Sequence, residues 1–145
     1  MKKSSNLALT IIIGFIAGLA ISGILGDIIV MANKSVGKIS SAWAVKRAER
    51  QISGGNFAAA VREYEKALKK ISPANKKLLA KIKNNMALCI FTEADKDGNA
   101  SEIERSVKMF SESLDLYKEL NDAESISQVE TNINEAESVL ASLGN

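Results

Sequence analysis

Between Leu7 and Met31 the chain carries one charged residue, Asp27, near the far end of the run. As a helix, a stretch this long and apolar spans a hydrocarbon core of roughly 30 Å with length left for tilt. Lys2 and Lys3 precede it. The alternative is a cleavable signal peptide, for which Val30-Met31-Ala32 offers a small-residue cleavage pattern. The apolar core is well beyond the roughly 7–15 residues of a signal h-region, which favours a retained anchor. The chain therefore divides into a basic tail (1–6), a transmembrane helix (7–31), a polar linker (32–41) and a helical domain (42–143).

Within the apolar run, Asn6, Thr10, Gly14, Gly18, Ser22 and Gly26 recur every four residues. On a helix they form one stripe of small or polar groups, with Gly14, Gly18, Ser22 and Gly26 at its centre. Apolar burial does little to join helices in lipid, so association rests on the close backbone approach that such a stripe permits. The partner is either a second copy of the chain or another membrane subunit. Lys34, Lys38, Lys46, Arg47 and Arg50 follow the run against only Lys2 and Lys3 before it. That count of basic residues puts the helical domain on the cytoplasmic side of a single-pass protein.

Everything after the linker reads as helix. One Pro and seven aromatics in 145 residues argue against an all-β domain. A first helix is expected from about Ala42 to Ile52, stopped by Gly54-Gly55. The second, about Phe57 to Ile71, repeats Val61, Tyr64, Leu68 and Ile71. Ser72-Pro73 is expected to open the third, which presents Leu78, Ile82, Met86 and Cys89. Ser101-x-x-Glu104 reads as the capping box of the fourth, with Ile103, Val107, Phe110, Leu114, Tyr117 and Leu120 on one side. A last helix follows Asn121-Asp122 and carries Ile126, Val129, Ile133, Ala136, Leu140 and Leu143. Spacings of three and four throughout predict one buried face per helix and an all-α fold.

One segment is more specific. In Gly55-Asn56-Phe57-x-x-Ala60-x-x-x-Tyr64-x-x-Ala67-Leu68, followed by Pro73, small residues flank an aromatic on a helix entered through a sharp turn. This resembles the turn and second helix of a tetratricopeptide repeat, a helix–turn–helix unit of about 34 residues. Ile82-Lys83-Asn84-Asn85-Met86-Ala87 and Val129-Glu130-Thr131-Asn132-Ile133-Asn134 align at a 47-residue offset, both similar to first helices of such units. Val107, Phe110 and Leu114 stand where Val61, Tyr64 and Leu68 stand, while Ser106 and Ser113 replace Ala60 and Ala67. The turn of that second unit reads as about seven residues longer than usual for the family. The resemblance implies about two repeats plus a capping helix over 41–143.

Such repeats hold a peptide or a partner helix in a groove lined by their first helices. The resemblance places Val45, Glu49, Ile52, Lys81, Asn84, Asn85, Leu88, Phe91, Gln128, Thr131 and Glu135 on that groove. The family's basic clamp for chaperone carboxylates is not matched: Asn85 fits it, but Val45, Glu49, Gln128 and Asn132 do not, and Glu49 repels a carboxylate. A mixed polar and apolar groove suits an amphipathic segment.

Composition narrows the function classes further. The absence of His removes the usual general base, the commonest metal ligand and the physiological pH switch together. Cys89 has no second cysteine to pair with and reads as a small buried hydrophobe. Asp95-Lys96-Asp97-Gly98-Asn99 resembles the start of a calcium loop, but Ala100 replaces the required Gly and Ser106 the closing carboxylate, so it reads as a polar turn. Asn33-Lys34-Ser35 and Asn99-Ala100-Ser101 fit a glycosylation sequon at the frequency chance supplies. No catalytic, cofactor or metal residues are expected.

The net charge of +2 hides a strong division. Residues 31–90 hold 13 Lys and Arg against 3 Asp and Glu, and residues 91–145 hold 4 against 13. A basic half suits anionic headgroups, an acidic partner or the acidic half of another copy, and an ordinary solvated surface is the plain alternative. With few Arg and aromatics to read bases, nucleic acid is not expected. The expected function is a non-enzymatic, membrane-anchored interaction scaffold for a protein partner, itself membrane-associated. The alternative is a structural accessory subunit of a larger membrane complex, held by its Gly-rich helix.

Overall fold

The computed structural model describes residues 40–144. The apolar run and its stripe of Gly14, Gly18, Ser22 and Gly26 lie outside the described residues. Those described are helical in five segments with no strand, an all-α arrangement: α1 (residues 40–53), α2 (Phe57–Leu68), α3 (Lys76–Asp97), α4 (Ala100–Glu119) and α5 (Ala123–Leu143). Among them no helix is long and apolar enough to cross a membrane.

Three of the four turns share one chemistry. Gly55 (φ 73°), Gly98 (φ 62°) and Asn121 (φ 53°) take the left-handed conformation just past a helix end. The next residue then returns its N–H to a carbonyl five positions back: Asn56 to Gln51 at 2.8 Å, Asn99 to Ala94 at 2.8 Å, Asp122 to Tyr117 at 3.1 Å. This closes the helix in a Schellman turn and leaves an Asn or Asp at the N-cap of the next helix. The Asn99 and Asp122 side chains accept from the Glu102 and Ser125 N–H groups at 3.2 Å.

The α2–α3 turn differs and corrects the expected start of α3. The N-cap is Asn75, whose side chain accepts from the Leu78 N–H, while the Ser72 hydroxyl accepts from the Ala74 N–H in a local turn before the helix. Likewise α4 starts at Ala100 under Asn99, two residues ahead of the expected Ser101 box. Helix α2 stops at Leu68, short of Ile71. The long turn expected after α3 is absent, because α3 runs 22 residues to Gly98 and takes those residues into helix. Ser40 and Ser41, placed in the linker by sequence, are helical.

Cross-helix contacts define two layers. Arg47 pairs with Glu63 at 2.7 Å across the tight α1–α2 turn. Lys76 meets Glu119 at 2.5 Å and Lys83 meets Glu112, which sets α3 and α4 antiparallel. The odd helices are joined by Lys81–Glu49 at 3.3 Å and by Asn132 Nδ2 donating to Asn84 Oδ1 at 3.1 Å. Arg105 reaches Glu65 at 3.8 Å between the two even helices. So α1, α3 and α5 lie in one layer and α2 and α4 in the other.

Two apolar cores fill the space between layers. The first gathers Ala44, Ala48, Ala60, Tyr64, Ala67, Ile82, Met86 and Cys89; the second gathers Ala87, Phe91, Ile103, Phe110, Val129 and Ala136. Helix α3 contributes to both, so it buries two faces and not the single face its large residues suggested. Ala60, Tyr64 and Ala67 on α2 and Ser106, Phe110 and Ser113 on α4 are all fully buried in the same order and spacing. The two serines satisfy their hydroxyls by donating to backbone carbonyls, Ser106 to Ile103 at 2.7 Å and Ser113 across to Ala80 at 2.8 Å.

Candidate functional site

The odd-helix layer carries an open cleft of about 610 Å³. One wall is the outward face of α3, where Lys77, Leu78, Lys81, Asn84, Asn85 and Leu88 recur at helical spacing. The other is the α4–α5 corner, with Tyr117, Asp122, Glu124, Ser125 and Gln128. Asn75, the cap of α3, stands at one end.

The floor is polar but satisfied. Asn84 is 7% exposed and accepts from Asn132, and Asn85 Nδ2 donates to the Tyr64 hydroxyl at 3.4 Å. Burial raises the Tyr64 hydroxyl above its ordinary pKa, against the lowering effect of Asn85, so it stays protonated at neutral pH. Tyr117 is raised by burial as well, with Ser125 opposing. Both phenols are therefore neutral hydrogen-bonding groups. Charge enters from the rims, as Lys77 and Lys81 on α3 and as Asp122 and Glu124 opposite.

Of the residues expected on a groove, Lys81, Asn84, Asn85, Leu88 and Gln128 come together in this cleft. Glu49 borders it through its pair with Lys81. Thr131 and Glu135 are exposed further along α5. Val45 and Ile52 pack into or against the first core and Phe91 into the second, because their positions turn inward between the layers. Of the α4–α5 wall the expectation held only Gln128 and missed Tyr117, Asp122, Glu124 and Ser125. Tyr117 had been read only as a core residue, and the Asn121-Asp122 turn only as a helix boundary.

A second, smaller hollow of about 230 Å³ lies between α2, α3 and α4, lined by Ala58, Val61, Ile90, Glu93, Glu102 and Arg105 among others. Cys89 borders it at 2% exposure, and burial, followed by the nearby Glu93 charge, pushes its thiol up to about 11. A thiol so held is protonated and unreactive at neutral pH. The calcium-loop-like string forms the end of α3 and its turn, with Gly98 as the left-handed cap.

The charge division is partly internal. Lys76 and Lys83 of the basic half pair with Glu119 and Glu112 of the acidic half. Comparison with known protein families, with curated proteins and with solved structures gives no match to this chain.

Proposed function

We propose that this chain is a membrane-anchored interaction scaffold whose tetratricopeptide-like helical domain docks a segment of a protein partner in the α3–α5 cleft. The apolar run of 7–31 would hold it to the bilayer, with the domain on the cytoplasmic side. The matched register of Ala60-Tyr64-Ala67 and Ser106-Phe110-Ser113 supports reading the domain as two stacked units, and α5 as the helix that covers the second.

The observation that carries the docking reading is the cleft itself. Its floor of amides and Leu88 lies between a basic rim and an acidic one, and suits an amphipathic segment bearing both charges. Lys81→Glu together with Leu88→Ala is expected to weaken partner capture from solubilised membranes by about tenfold or more, in the range of losing a central contact. Gly18→Leu is expected to leave it intact. If instead Gly18→Leu dissolves the association and the cleft variant does not, the chain is an accessory subunit held by its membrane helix. A Gln128→Arg variant, on an exposed cleft position, separates loss of binding from any loss of packing at Leu88.

A further inference from the structure

The two-layer stack gathers unpaired lysines where α1, α2 and α3 meet at one end of the domain. Successive helices are antiparallel, so the start of α1, the end of α2 and the start of α3 share one end of the domain with the α4–α5 corner, which adds Asp122 and Glu124 to that end beside the α3 start. At that end Lys69, Lys70 and Lys77 have no ion-pair partner among the described residues. The opposite end, where α3 meets α4, carries Asp95, Asp97 and Glu104, equally unpaired among the described residues. Beside the basic end stands Trp43, the only tryptophan of the chain and 55% exposed, in the first turns of α1. Trp43 and Lys46 line one shallow surface hollow, and Arg50 continues their stripe at i+7.

We infer that this end, formed by Trp43, Lys46, Lys69, Lys70 and Lys77, lies against an anionic bilayer surface. An indole with one apolar and one polar edge is most stable at the headgroup level, where burial of the ring in a core is not required. Each well-placed lysine adds attraction to an anionic leaflet, and the attraction acts only within a Debye length, so the residues must share one end, as they do. The inference rests on the membrane-anchor reading for the chain's location, and its occupant is the lipid surface. With these lysines against the bilayer, the α3–α4 turn with Asp95, Asp97 and Glu104 faces water.

The single tryptophan makes the test direct. Full-length protein is mixed with vesicles of zwitterionic lipid alone or with about one-third anionic lipid, brominated near the top of the acyl chains, and Trp43 fluorescence is read. The expected result is a blue shift with about twofold or stronger quenching on anionic vesicles, reversed near 1 M salt, where the Debye length falls to about 3 Å. Lys46→Gln/Lys69→Gln/Lys70→Gln should lose most of that quenching while Trp43 remains in place. Quenching that is absent on anionic vesicles, or equal on both lipids and unchanged by salt and by the triple variant, overturns the inference. Flotation of the same samples in 1 M salt tests the anchor separately. Protein that floats in 1 M salt but shows no Trp43 quenching on anionic vesicles at low salt keeps its anchor and overturns this surface; protein that fails to float yet shows salt-sensitive quenching has the reverse.

Discussion

At the scale of single residues, the fold depends on how a few buried polar groups are satisfied. Ser106 and Ser113 occupy equivalent buried positions on α4, but their hydroxyls serve different partners. Ser113 bonds the Ala80 carbonyl of α3, whereas Ser106 bonds back within its own helix. Ser113→Ala should therefore destabilise by about 1 kcal/mol and Ser106→Ala by less than about half of that, since a helix-internal hydroxyl bond adds little. Urea unfolding of the two variants measures the difference. Glu63 gives a pH prediction. Lys66 and then Arg47 hold its carboxyl below the usual carboxylate range. A folded-state pKa below the unfolded value means the contribution is complete above the unfolded pKa and disappears as pH falls through the folded one. Wild-type stability should thus drop on acidification below about pH 4.5, and Glu63→Gln should show a smaller drop over the same window, read as the urea midpoint against pH.

At the scale of elements, the turns decide where each helix ends. Gly55 has a φ of 73° and nothing within 4 Å of an added Cβ, so Gly55→Ala should lose about 1–2 kcal/mol from backbone strain alone. Asn121 takes the same conformation with a side chain that tolerates it, so Asn121→Gly should lose nothing while Asn121→Ala loses about 1 kcal/mol. Thermal melts of the three variants distinguish strain from contact loss. These turns also show how much the sequence alone conveyed. Five helices were legible because large apolar residues at Val61, Tyr64, Leu68 and at Ile103, Val107, Phe110 mark the 3.6-residue period. The second buried face of α3 was not, because Ala80, Ala87 and Ala94 carry too little hydrophobicity to stand out from a surface. The caps of α3 and α4 were misplaced since Ser72-Pro73 and Ser101-x-x-Glu104 satisfy capping rules locally. Asn99 wins because the turn that ends α3 delivers it there, and Asn75 because a local turn at Ser72 brings it to the head of α3. Half of the cleft was expected, through the repeat resemblance that put Lys81, Asn84, Asn85 and Leu88 on a groove. Of its other wall only Gln128 was expected, because Tyr117, Asp122 and Ser125 converge only when α4 and α5 fold back on each other.

At the scale of the whole described domain, the basic and acidic halves of the sequence are stacked against each other, and part of their charge is paired internally through Lys76–Glu119 and Lys83–Glu112. The α3–α5 cleft lies on the layer of α1, α3 and α5. Under the proposed function, membrane attachment would confine a bound partner segment to the bilayer surface and raise its effective concentration. The most direct test is photo-cross-linking in intact membranes from residues replaced one at a time by a photoreactive amino acid. Lys81 and Gln128, on facing walls of the cleft, are predicted to label the same segment of one partner protein, and Glu104 at the far acidic end to label none of it. Adducts confined to the apolar run and to Lys34 and Lys38, with Lys81 and Gln128 silent, would contradict a docking role.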